Sequence, residues 1–286
     1  MENTHQTTPA GFLDRNRTII KGFLIGFLIL LMLIPTALIQ NLVREREQRQ
    51  QEVIQEISSK WATGQTIAGP VLLLPYKELS KDKEGKLLEV KRTIYLLPNQ
   101  LSINGKLLPE VRSRSLYDVT LYRSAIHLSG VFTPQSLNSL QIPPENIMWK
   151  EARLVLGIDD ARGLEEEVHL KWNEQSHLLD AGVPANDVVE GGLSAPVALD
   201  SARQAAFSIQ IRLKGSEQLY FTPVGKSTEV RLASSWKHPA FDGQYLPVRH
   251  EIADNGFSAS WKILQVSRSY PQAWTSGQYE LKKSAF

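Results

Sequence analysis

Residues 207–213 read Phe207-Ser208-Ile209-Gln210-Ile211-Arg212-Leu213, four large apolar side chains alternating with three polar ones. A period of two is that of a β-strand with one buried and one wet face. The alternation returns where Phe257, Ala259, Trp261 and Ile263 face away from Ser258, Ser260 and Lys262, and where Val168, Leu170 and Trp172 flank His169 and Lys171. Residues 154–158 form a short apolar run, suited to a strand buried on both faces. Further strand-like stretches lie at 71–76, 93–97, 116–128, 217–221, 229–234 and 278–282. Asn104-Gly105, Lys214-Gly215-Ser216, Asp242-Gly243 and Asp254-Asn255-Gly256 are turn signals between them. No long helical pattern recurs between strands, which argues against a parallel α/β sheet and for a mainly β fold, an antiparallel, sandwich-like body. The loosest stretch, 180–196, carries Gly182, Pro184, Gly191-Gly192 and Pro196, and reads as a surface loop or as a seam between two β lobes.

Working toward the N-terminus, the period changes at Gly69-Pro70. Residues 44–62 contain neither proline nor glycine, and Val53, Ile54, Ile57 and Trp61 recur at helical spacing. This thin apolar stripe could lie on a bilayer, pair with another helix, or dock on the β body, docking being the expectation. Before it, residues 22–43 hold no charged side chain. About 20 helical residues at ~1.5 Å each match a hydrocarbon core of roughly 30 Å. A cleaved signal peptide would have a shorter apolar run and a small-residue cleavage site, and a buried soluble helix would have to be apolar on every face, so the segment reads as an uncleaved signal anchor. Pro35 interrupts one backbone hydrogen bond inside it, and the adjacent Thr36 is placed to help. Arg15, Arg17 and Lys21 precede the span and Arg44, Arg46 and Arg49 follow it, so positive charge alone does not orient it. The short leader and the large remainder favour a cytoplasmic N-terminus and an exported body. The expected organisation is a leader at 1–21, a transmembrane helix at 22–43, a helical stalk at 44–62 and a β-rich body at 63–286.

The composition fits this division. Of 286 residues, 42% are hydrophobic and 22% charged, too apolar for a disordered chain. The 32 Lys plus Arg against 30 Asp plus Glu leave a formal charge of +2, which gives no global attraction to nucleic acid. There is no cysteine, so disulfide frameworks, thiolate zinc sites and cysteine nucleophiles are excluded.

No strong catalytic or metal motif is present: no G-x-G-x-x-G, no G-x-x-x-x-G-K-[ST], no H-E-x-x-H and no G-x-S-x-G. His5, His127, His169, His177, His238 and His250 show no tight ligand spacing and read as solvated or strand-edge residues. Asp159-Asp160 could split their pKa values if they met in a cleft. Neighbours in a strand point to opposite faces, however, so one of them is expected to cap a turn by accepting backbone amides. The run Glu165-Glu166-Glu167 reads as a solvated loop. Trp236, Phe241, Tyr245, Trp261 and Trp274 crowd the last quarter, either as core or as an aromatic groove for glycan or peptide, with core the expectation. No catalytic, cofactor-binding or metal residue is assigned, and no cofactor is expected.

Several longer segments carry a family resemblance: I-P-T-A-L-I-Q-N-L-V-R-E-R (34–46), A-G-P-V-L-L-L-P-Y (68–76), A-R-L-V-L-G-I-D-D-A-R-G (152–163), S-W-K-H-P-A-F-D-G-Q-Y-L-P (235–247) and G-F-S-A-S-W-K (256–262). In this order they resemble the inner-membrane protein CreD family, also called cell envelope integrity protein CreD. The resemblance implies a bacterial inner-membrane protein with a large periplasmic region, linked to envelope integrity and a two-component stress regulon. It supplies no catalytic residues. Proteins of that family continue past the β-rich region into further membrane helices, so a truncation or a fragment is expected at Phe286. The expected function is a non-enzymatic, membrane-anchored periplasmic protein supporting the envelope. Its partners would be the lipid bilayer and envelope proteins or membrane helices absent from this chain, with no role for nucleic acid. The alternative is a ligand-binding sensor signalling through the membrane helix; a hydrolase using Asp159, Asp160 or a histidine is a distant third.

Overall fold

The computed structural model describes residues 17–81, 86–114, 116–184, 188–275, 279 and 281. The expected membrane segment and stalk form one continuous helix, α1 (Arg17–Trp61). Its apolar stretch is long enough to cross a bilayer, with a mean hydropathy of 2.6 and none of that window buried by protein. The Thr36 hydroxyl donates to the Met32 carbonyl at 3.0 Å, so it does not take up the Leu31 carbonyl that Pro35 leaves without its helical donor. His5 and most of the expected leader lie outside the described residues.

From Gln55 onward the chain is one compact unit. Two sheets build it. The first sheet contains β1 (Gln65–Lys81), β2 (Leu87–Leu96), β5 (Arg153–Ile158), β8 (Asp180–Ala181), β9 (Gly192–Pro196), β11 (Leu219–Thr222) and β15 (Ala273–Thr275). Its order is β15-β2-β1-β5-β9-β8, with β11 also paired to β1. The second contains β3 (Gln100–Arg114), β4 (Tyr117–Phe132), β6 (His169–Trp172), β7 (Gln175–Leu178), β10 (Ala205–Ser216), β12 (Ser227–Ser234), β13 (Arg249–Ala253) and β14 (Gly256–Leu264), in the order β13-β14-β12-β3-β4-β10-β6-β7. The mainly β architecture follows the sequence pattern, with one difference: β1 pairs with β11, and β3 with β12, in parallel. These strands lie far apart in the chain, so no local hairpin dictates their direction. The expected strand at 278–282 falls largely outside the described residues.

Alternation sorts the second sheet into two faces. Leu101, Ile103, Leu128, Ile209, Ile211 and Val230 are buried on the inner face, where they join residues of both sheets in one apolar cluster. Most outward positions at the middle of the sheet are polar or small, among them Ser102, Asn104, Ser129, Ser208, Gln210 and Ser260. The apolar run at 154–158 becomes β5, buried between β1 and β9.

Asn104-Gly105 is not a turn but lies inside β3. A Cβ on Gly105 would come within 2.6 Å of the Leu232 side-chain tip on the neighbouring strand, which can move aside. Gly130 is tighter still, since a Cβ would meet the Gln100 carbonyl oxygen at 2.0 Å and the Phe207 ring at 2.9 Å. Backbone cannot step aside as a side-chain tip can. Gly130→Ala is therefore expected to cost about 2–3 kcal/mol, seen as a lower urea midpoint, while Ser102→Ala on the outer face changes stability by less than about 0.5 kcal/mol.

Candidate functional site

Two places concentrate polar or aromatic chemistry: the join between α1 and the β body, and a groove at one end of the sandwich interior.

At the join the helix stops at Trp61 and β1 starts at Gln65. Asp160 caps the short 3₁₀ turn Ala161–Gly163 by accepting the Arg162 amide at 3.2 Å. This is the turn expected from Asp159-Asp160, and the carboxylate does more besides. It accepts the Arg162 Nε at 2.8 Å and Nη2 at 2.7 Å, and the Thr63 amide and hydroxyl at 3.1 and 3.2 Å. Arg162 Nη1 in turn donates to the Ser59 carbonyl in the last turn of α1 at 3.1 Å. Beside it the fully buried Gln65 amide donates to the carbonyls of Asp160 and Lys214, both at 3.0 Å, and accepts the Asp160 N–H at 3.2 Å. The Trp61 ring lies among Arg112, Arg123 and Lys214, whose charges are 4.6, 5.4 and 4.9 Å from its centre. Val119 and Leu121 occupy outward positions at this corner and are nevertheless buried. The end of the stalk is thus docked, as expected. Glu165, Glu166 and Glu167 are exposed, as expected, and the first two face Arg123, Lys214 and Arg212.

The groove encloses about 400 Å³. Inner-face residues Tyr122 and Trp261 form part of its floor, Tyr220 of β11 one wall, and Trp236 and Phe241 from the 235–248 connection another. The Trp236 indole donates to the His238 carbonyl at 2.7 Å, which fixes its plane, and Phe241 meets Phe257 and Trp261 edge-on at 5.7 and 5.8 Å. The expectation of core aromatics therefore holds for only part of the set. Trp274 is core, stacked on Tyr95 at 5.5 Å, whereas the half-buried Trp236 and Phe241 line a groove. Nothing in the composition separates these cases. The missing signal is that Trp236 and Phe241 lie outside any period-2 stretch.

The groove and the join share one atom. The Gln218 carbonyl accepts both the Gln65 amide at 3.0 Å, at the start of β1, and the Tyr122 hydroxyl at 2.6 Å, on the groove floor. Burial pushes the Tyr122 phenol up from its usual range, so it stays a donor.

Among the described residues no three histidines come together. His127 Nε2 meets the Ser208 hydroxyl at 2.9 Å on the outer sheet face, His169 lies 4.0 Å from Glu167, His177 is in β7, His238 is at the groove and His250 lies by Phe241. Among the described residues no three metal-ligating side chains come together.

An apolar spanning helix fused to a β-rich body that carries an aromatic groove defines a class of membrane-anchored β protein. The family model described as "Inner membrane protein CreD" matches residues 17–286, and the chain belongs to that family. The inner membrane protein CreD of Escherichia coli (strain K12) is 27% identical over 256 residues, which cover 87% of this chain and 56% of that relative. The chain thus spans little more than half the length of that curated protein. No solved structure matches. Family and helix together assign the chain to the inner membrane.

The Asp160 carboxyl is held near pKa 2, against an ordinary 3.8, chiefly by hydrogen bonds from Arg162 and with help from the Thr63 amide. A lowered carboxyl pKa stabilises the fold above the unfolded value, and the benefit is lost as pH falls through the folded one. Asp160→Asn is therefore expected to lower stability by roughly 1–3 kcal/mol at neutral pH. Thermal melts of wild type and variant should converge on acidification from about pH 4 toward pH 2; equal melts at neutral pH would remove the clamp.

Proposed function

We propose that this chain is a membrane-tethered, non-catalytic protein that supports the integrity of the cell envelope and takes part in its stress response. The N-terminal end of α1 faces the cytoplasm, and the β body works in the periplasm through contacts with envelope proteins or with further membrane helices. The observation that carries this reading is an apolar helix long enough to cross a bilayer, its last turn bonded into the β body by Arg162 and Asp160, in a chain of the inner-membrane CreD family. Alkaline phosphatase fused after Trp274 is expected to be active, and an inactive fusion would overturn the orientation. Deleting the gene should sensitise cells to envelope stress. Hydrolysis or transfer of an envelope substrate by the protein, abolished by a point change, would overturn the non-catalytic reading.

A second reading, a ligand-binding sensor, is favoured by the Gln218 carbonyl, which ties the groove floor to the first residue of β1. A ligand that displaces Tyr122 or β11 would alter that bond. This reading expects a thermal shift with at least one member of a broad ligand panel, and a loss of coupling in Tyr122→Phe; no shift across the panel would count against it.

A further inference from the structure

We infer that the aromatic groove binds a small organic ammonium ion with an apolar body; this rests on the groove of the sensor reading and names the class of its ligand.

Two acids line the groove, Glu217 and Asp242, and neither has an ion pair among the described residues; the Asp242 Oδ1 accepts the Gly243 N–H at 2.6 Å. No lysine or arginine lines the groove either; Lys237, between Trp236 and His238, is exposed and is not among the lining residues. The trough on the outer face of the second sheet differs, lined by Lys106, Arg231 and Arg249 against one acid, Glu251.

Geometry supports the same ligand. Aromatic faces carry negative potential and attract a cation within about 6 Å of the ring centre, most strongly where water is displaced. Trp236, Phe241, Trp261 and Tyr220 line the groove, and two carboxylates without an ion pair at the same groove complement a single positive charge. Glu217 is fixed there by the backbone: it has a positive φ of 59° and its N–H donates to the Thr120 carbonyl at 3.0 Å. A volume of about 400 Å³ is that of a site for a small molecule rather than a folded partner. An anion would meet Glu217 and Asp242 without a compensating cation, and a neutral apolar molecule would leave their charges unused.

The test uses the full chain in a neutral maltoside detergent at about pH 8, above the ordinary range of histidine. Tryptophan fluorescence is titrated with benzyltrimethylammonium, benzyl alcohol and phenylacetate. The expected result is saturable quenching by the ammonium ion, with affinity about tenfold or more above that for the alcohol and no saturation by the acid. Glu217→Gln with Asp242→Asn should weaken the ammonium about tenfold while leaving the melt of the free protein unchanged, since both side chains are exposed. Trp236→Leu should weaken it as well. Equal affinity for all three probes, preference for the acid, or an unchanged affinity in the double carboxylate variant would overturn the ammonium assignment and leave the sensor reading standing. Ammonium binding without altered hydrogen exchange at the Gln65 amide would support the ligand class and count against signalling. Failure of every probe to saturate would overturn the assignment.

Discussion

The buried carboxylate of Asp160 is the constraint around which the rest of the body is arranged. A helix ending and a strand beginning within a few residues leave unpaired carbonyls on one side and unpaired amides on the other. Asp160 takes the Thr63 amide, Arg162 takes the Ser59 carbonyl, and the Gln65 side chain meets the backbone of both Asp160 and Lys214. Because Lys214 belongs to the second sheet and Gln65 to the first, the same few bonds fix the sheets to one another as well as to the helix. A charged group here is favourable only because its oxygens are fully matched; one unpaired oxygen at this depth would cost more than the pair contributes.

Much of the fold was legible because burial on one face leaves a periodic trace. The alternation at 207–213 and at 257–263 became β10 and β14, and the aperiodic apolar run at 154–158 became a strand covered on both sides. Where the reading failed, tertiary packing outweighed a local signal. Asn104-Gly105 has the chemistry of a turn, yet both residues run extended inside β3, paired with β4 on one side and β12 on the other. The parallel pairings of β1 with β11 and β3 with β12 join segments with no local relation, so no sequence window contains them. Of the join, the Asp160 cap was readable from its neighbours, while its bonds to Thr63 and Gln65 required the fold. The groove was half legible: its aromatics were conspicuous, but their division into core and lining depends on how the 235–248 connection crosses the inner face.

Membership of the CreD family gives the chain an inner-membrane setting without giving it a chemistry. What the β body adds is an asymmetry of surface: a polar, serine-rich and locally cationic outer face, and an aromatic, carboxylate-bearing opening at the end of its interior. The groove is tied through the Gln218 carbonyl to the start of β1, and Arg114 of β3 is paired with Glu56 near the end of α1.

The strand order also governs how such a chain can be made. β1 emerges from the ribosome soon after the anchor, but its partner β11 is made much later, and β2 must wait for β15 near the end of the described chain. Contacts so distant in sequence slow folding and leave strand edges open in the interval. For a protein already held to a membrane by its first helix, this means a period in which sticky, half-built sheet edges are confined close to the bilayer.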